Sequence, residues 1–153
     1  MKPMKSFILL LTITLCTNLS FAQKIDYNLD NGYIADGYDV VAYFSNQALE
    51  GKVTYSARYK GAKYKFANSV NFEKFKSNPS KYAPQYGGWC AYAMGAKNKK
   101  VSIDAETFEI RAGKLYLFYN SWGNNTLESW LEENPTSLKK KADINWQKTK
   151  YTD

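Results

Sequence analysis

The sequence predicts an α+β fold: a small antiparallel sheet of β-hairpins packed with several short helices, with a helical C-terminus. Three observations carry that prediction. Residues 54–67 alternate apolar and polar side chains across a glycine turn. A second alternating pair of segments flanks Arg111-Ala112-Gly113-Lys114. From Thr126 onward the apolar spacing changes to i, i+3, i+4, the period of a helix rather than a strand. The 153 residues suit one domain, since domains commonly run ~100–200 residues.

Residues 1–22 read as an export signal. Lys2 and Lys5 form a basic start, a short apolar run follows, and Ser20-Phe21-Ala22 supplies the small-x-small cleavage pattern. The run is too short to span a bilayer, which takes about 20 apolar residues. Leu15 precedes Cys16 where a lipoprotein anchor needs a small residue. Cleavage after Ala22 is therefore expected, giving an exported protein, periplasmic or secreted, with no transmembrane segment in the mature chain.

Residues 23–36 read as a polar lead-in. Residues 39–44, Asp-Val-Val-Ala-Tyr-Phe, are β-branched and aromatic and predict a strand or buried extended segment. Residues 45–52 form a loop. In the first hairpin, Tyr55, Ala57 and Tyr59 share one side, Gly61 supplies the turn, and Tyr64 and Phe66 alternate against Lys63 and Lys65. Asn68-Ser69 caps a short helix carrying Phe72 and Phe75. Asn78-Pro79 repeats the device, with Asn as cap and Pro at the first helical position. Residues 89–94 fit a buried helix or a buried strand. Leu127, Trp130 and Leu131 begin a helix, and a further one starts at Pro135 with Leu138, Ala142 and Trp146 on its stripe. The domain spans residues 37–147, and residues 148–153 form a tail.

Composition removes most catalytic chemistry. The chain has no histidine and two cysteines, so no Ser-His-Asp triad, Cys-His dyad, His-based zinc site or His-ligated haem can be built from it alone. Signal cleavage leaves one cysteine, Cys90, which cannot form an internal disulfide. As a functional residue Cys90 is a thiolate that attacks or binds something. Its uncharged neighbours Trp89, Ala91, Tyr92 and Ala93 also suit a small buried apolar residue. If the segment is helical, Cys90 and Met94 lie four apart on one side, and thiolate with thioether is a soft pair suited to a copper ion in the Cu(I) state. The 13 tyrosines either line a pocket for a planar ligand or build an aromatic core. The net charge of +7 is spread over Lys97, Lys99 and Lys100 in one loop and residues 139–141 on one helix. Export argues against nucleic acid as a partner, and solvated lysine faces are the simpler reading.

Several segments together resemble exported YHS-domain proteins. They are Gly37-Tyr38-Asp39-Val40-Val41-Ala42-Tyr43-Phe44, Tyr59-Lys60-Gly61-Ala62-Lys63-Tyr64-Lys65-Phe66, Asn71-Phe72-Glu73-Lys74-Phe75, the run from Asn78-Pro79 through Tyr86-Gly87-Gly88-Trp89-Cys90-Ala91-Tyr92-Ala93, and Gly113-Lys114-Leu115-Tyr116 with Trp130-Leu131. The resemblance covers about residues 32–146. It implies a small α+β module. Related metal-sensing, TRASH-like domains are held to bind metal through three cysteines, and those positions correspond here to Ala42, Ala67 and Asn71. The resemblance thus carries the fold and leaves the metal ligands unmatched.

The function expected from the sequence is a non-enzymatic exported binding module of the YHS type. Its ligand is a metal, such as a copper ion, or a small planar molecule, held in an aromatic pocket of Tyr38, Asp39, Tyr43, Tyr86, Trp89 and Tyr92 around Cys90, with Cys90 and Met94 as metal ligands. The alternatives are a thiol-dependent redox accessory protein using Cys90 and a structural module that docks an envelope protein.

Overall fold

The computed structural model describes residues 23–151; the expected signal segment and Cys16 lie outside the described residues. The architecture is α+β. Strands β1 (Leu29–Asp30), β2 (Tyr33–Ile34), β3 (Lys52–Tyr59) and β4 (Ala62–Phe66) form one sheet in the order β1-β2-β4-β3. Helices α1 (Ser69–Ser77), α2 (Pro79–Tyr82) and α3 (Ala91–Lys97) follow. A second hairpin joins β5 (Asp104–Arg111) to β6 (Lys114–Phe118), and β7 (Asn120–Ser121) pairs with β8 (Asn124–Asn125). The chain ends in α4 (Thr126–Glu132) and α5 (Pro135–Thr149). Among the described residues no helix is long and apolar enough to cross a membrane.

Both predicted hairpins form, and each ladder carries a register shift, between Lys52 and Ser56 in β3 and between Asp104 and Phe108 in β5. Ala57 faces Tyr64 across β3 and β4, and Ala62, Tyr64 and Phe66 are all buried while Lys63 and Lys65 between them are partly exposed. The sheet is not purely antiparallel, however. Tyr33 of β2 pairs parallel with Lys63 of β4, so the lead-in belongs to the sheet, and Ile34 and Ala35 are core residues.

Residues 39–44 depart from the expected strand. Residues Ala42–Ser45 form a 3-10 turn instead. The cause is local: the Asp39 carboxylate accepts hydrogen bonds from the Val41 and Ala42 N–H groups at 2.9 and 3.3 Å. A side chain that caps the backbone in this way overrides a modest β propensity.

Helix starts follow the asparagines. Asn68 accepts from the Asn71 N–H, as expected, and Asn125 and Asn134 cap α4 and α5 in the same manner. Asn78 differs. Pro79 does occupy the first position of α2, but the Asn78 side chain accepts from the Ser80 hydroxyl rather than from a backbone N–H.

The core divides into two clusters. In the first, Phe75 of α1 lies 4.5 Å from the Tyr64 ring and 4.9 Å from the Phe66 ring, tying the helix to the four-stranded sheet. In the second, Trp130 of α4 packs 5.8 Å from Tyr116 and 5.5 Å from Phe118, with Leu138 and Ala142 of α5 closing the other side. Leu131, placed on the same helical stripe, is half exposed. Helices α3 and α5 touch through backbone: a Cβ on Gly95 would lie 2.5 Å from the Leu138 carbonyl oxygen, so only glycine permits that approach.

Candidate functional site

The expected pocket residues fall into both halves of the molecule. Tyr38 and Tyr43 belong to the first cluster, and Tyr86, Met94 and Tyr92 to the second.

Asp39 is fully buried. Besides the two turn N–H groups, its carboxylate accepts from the Ala67 N–H at 2.9 Å and from the Asn71 side-chain amide at 2.7 Å. Four donors thus converge on one carboxylate, which satisfies a group that is costly to bury unpaired. Three of those donors belong to Ala42, Ala67 and Asn71. These three residues therefore meet at one point, which the Asp39 carboxylate fills. Tyr43, also fully buried, donates its hydroxyl to the Ala105 carbonyl at 2.7 Å and packs at a tilt against Phe108, ring centroids 4.6 Å apart. Tyr38 is partly exposed, and its hydroxyl reaches Glu106 at 3.5 Å.

Cys90 stands directly before α3 and is fully buried. Its sulfur contacts the Thr126 hydroxyl at 3.3 Å and accepts from the Tyr119 N–H at 3.4 Å, while its own N–H donates to the Val101 carbonyl. These contacts tie α3 to the end of the second hairpin and to the start of α4. Met94, one helical turn on, is equally buried, and its sulfur accepts from the Thr149 hydroxyl at 3.8 Å. Among the described residues no group of three or more His, Cys, Asp or Glu side chains is placed to hold a metal ion. Trp89 donates its indole N–H to the Asp26 carbonyl at 2.8 Å, and Tyr92 its hydroxyl to Glu133 at 2.7 Å. Both side chains are used as braces to distant segments.

Of the expected residues, Tyr86 lines a cleft. The stretch Tyr86-Gly87-Gly88 is left-handed throughout, with φ of 54°, 62° and 83°. That conformation costs a non-glycine residue about 1–2 kcal/mol. It turns the Tyr86 side chain so that its hydroxyl donates to Asp143 of α5 at 2.9 Å. Asp143 also accepts from Lys139 at 2.7 Å. Burial and the bond to Asp143 both hold the Tyr86 phenol protonated well above its ordinary range. A Cβ on Gly87 would lie 2.8 Å from the Trp146 indole, so the absent side chain is what lets the ring lie against the backbone there.

The cleft holds about 380 Å³, within the range of small-molecule sites, about 300–1,000 Å³. Its aromatic walls are Tyr27, Tyr59, Tyr64, Tyr86 and Trp146, and its polar groups include Lys60, Gln85, Asp143 and Gln147. Lys60 sits 5.3 Å above the Tyr59 ring, and the Tyr27 hydroxyl donates to the Lys60 carbonyl. The sequence places Tyr59 and Tyr64 in the first hairpin and points to Tyr86 as a pocket residue. Asp143 is not among the expected residues, and Trp146 reads only as part of a helical stripe. The i, i+4 pair of Lys139 and Asp143 was a visible signal, but nothing local places it against Tyr86, 57 positions away.

Comparison of the chain with family models, curated proteins and solved structures finds no match.

Proposed function

We propose that the protein is a non-enzymatic binding module of the YHS type that acts after export and takes a small planar ligand in the aromatic cleft. The observation that carries this reading is the cleft itself: five rings drawn from separate segments, with an acid, a lysine and two amides on its lining. Such a site supplies apolar walls for the faces of a ring and a few polar groups for its edges.

The convergence of Ala42, Ala67 and Asn71 on Asp39, through two backbone N–H groups and one side-chain amide, supports the YHS resemblance only in that the three matched positions lie close together in space. It also argues that the point is a structural knot in this chain. Cys90 and Met94 offer two soft groups, both sealed in the core, which favours a packing role over copper binding or redox exchange.

The test is a titration of the purified protein with a panel of planar aromatic compounds, followed by tryptophan fluorescence. Gly87→Ala, which displaces the Trp146 wall, is expected to weaken any binder at least tenfold. Cys90→Ala is expected to leave its affinity within twofold. A binder lost in Cys90→Ala and retained in Gly87→Ala would overturn the cleft and restore the thiol as the site.

A further inference from the structure

The fold assembles a second concavity that shares no lining residue with the aromatic cleft. It holds about 430 Å³ and is lined by Asn98, Lys99, Lys100, Lys148, Thr149 and Tyr151. In the sequence these are two separate short runs. In the structure Asp26 ties them together. Its carboxylate takes Lys100 at 2.8 Å, and its N–H donates to the Lys150 carbonyl at 2.8 Å. An isolated bridge between Ile25 and Tyr151 secures the same wall. On the other side, the chain reverses at Asn98, in the left-handed region at φ 50°, and the Lys99 N–H bonds back to the Ala93 carbonyl.

The chemistry of the lining is one-sided. None of the six side chains is acidic. Asn98 and Tyr151 add neutral donors to the three ammonium groups, while the Thr149 hydroxyl proton is taken up within α5 by the Asn145 carbonyl. Lys100 is neutralised by Asp26, and Lys150 beside the pocket bonds Gln147 and lies over the Tyr151 ring. Lys99 and Lys148 make no ion pair among the described residues. Holding like charges around one concavity is unfavourable until an anion enters it, and concave charge of one sign attracts its counter-ion. Several point-charge donors around one space match an anion with several charged oxygens better than a single carboxylate.

We propose that this pocket binds a phosphate group, either on a soluble compound or on the headgroup of an anionic lipid. The test uses the whole protein at low salt with two probes, inorganic pyrophosphate by calorimetry and phosphatidylglycerol vesicles by flotation, with phosphatidylcholine vesicles as the neutral control. The double variant Lys99→Gln/Lys148→Gln is expected to weaken binding at least tenfold. Lys140→Gln/Lys141→Gln, on the same helix as Lys148 and outside the pocket, is expected to change it less than twofold. Pyrophosphate binding with that pattern supports the pocket with a soluble source. Vesicle binding alone, with the same pattern, supports it with a headgroup source. Equal weakening by both double variants would reduce the effect to a diffuse basic face and overturn the proposal, as would the failure of both probes to bind.

Discussion

The two core clusters treat their buried polar groups in opposite ways. Around the four-stranded sheet, Asp39 is closed: four donors meet its carboxylate and nothing is left over. Around Trp130 the polar groups are strung between rings. Glu109 holds Arg111 through two bonds and also accepts from the Trp130 indole. Asp143 joins Lys139 to Tyr86 and faces the cleft. Between these lies the fully buried Tyr116 hydroxyl, which has no hydrogen-bond partner among the described residues. A closed network fixes a conformation, whereas one that opens to a cleft has acceptors left for a ligand. The contrast teaches that the buried carboxylate of the first cluster is scaffold, whereas the cleft lies where the clusters meet, with Tyr27, Tyr59 and Tyr64 from the first and Tyr86, Trp146 and the open Asp143 network from the second.

The largest test of that contrast is Asp39→Ala. It strands four donors, of which the buried backbone ones each cost about 1–3 kcal/mol when unsatisfied. We expect a loss of roughly 3 kcal/mol or more in urea unfolding, with no ligand needed to reveal it. A loss below 1 kcal/mol would show that the knot is not structural.

The next effect is at alkaline pH. Burial raises the Tyr43 and Tyr64 phenols in the first cluster and Tyr86 in the second above their ordinary value. In the unfolded chain these groups ionise near pH 10, while in the folded chain they stay protonated. Above about pH 10 the native state therefore binds more protons than the unfolded state, and stability falls as pH rises, by up to about 1.4 kcal/mol per pH unit for each such tyrosine. Below that pH the three make no pH-dependent contribution. Replacing Tyr86 with Phe should remove one tyrosine's share of the slope in denaturation series at stepped pH. An unchanged slope would mean that Tyr86 ionises freely in the fold.

The smallest expected effect is that of Tyr116→Phe. Removing a buried hydroxyl with no partner deletes a desolvation cost and keeps the ring contacts with Tyr86 and Trp130. We expect unchanged or slightly raised stability, within about 1 kcal/mol. A clear loss in thermal unfolding would reveal a bound water or ion at that hydroxyl, and would make the second cluster as closed as the first.

Much of the local structure was legible because it rests on local physics. Alternation at Tyr55, Ala57, Tyr59, Tyr64 and Phe66 gave the first hairpin. The Asn68 cap and the proline at Pro135 gave helix starts, and the stripe of Leu138, Ala142 and Trp146 gave α5 its inner face. The departure of residues 39–44 from a strand has an equally local cause, since the Asp39 carboxylate caps the N–H groups of its own successors. The candidate site was less legible. Of the residues expected around Cys90, only Tyr86 lines the cleft.

By itself, then, the sequence determined the fold class, the hairpins, the helix starts and the exclusion of histidine chemistry, because periodicity, caps and composition act within a few residues. Only the tertiary structure decided that Ala42, Ala67 and Asn71 meet at Asp39, that Cys90 is sealed against Thr126 and Tyr119, and that Tyr86 faces Asp143 and Trp146. Those pairings join residues up to dozens of positions apart. What selects them is the packing of two aromatic clusters, whose ring contacts have no period along the chain.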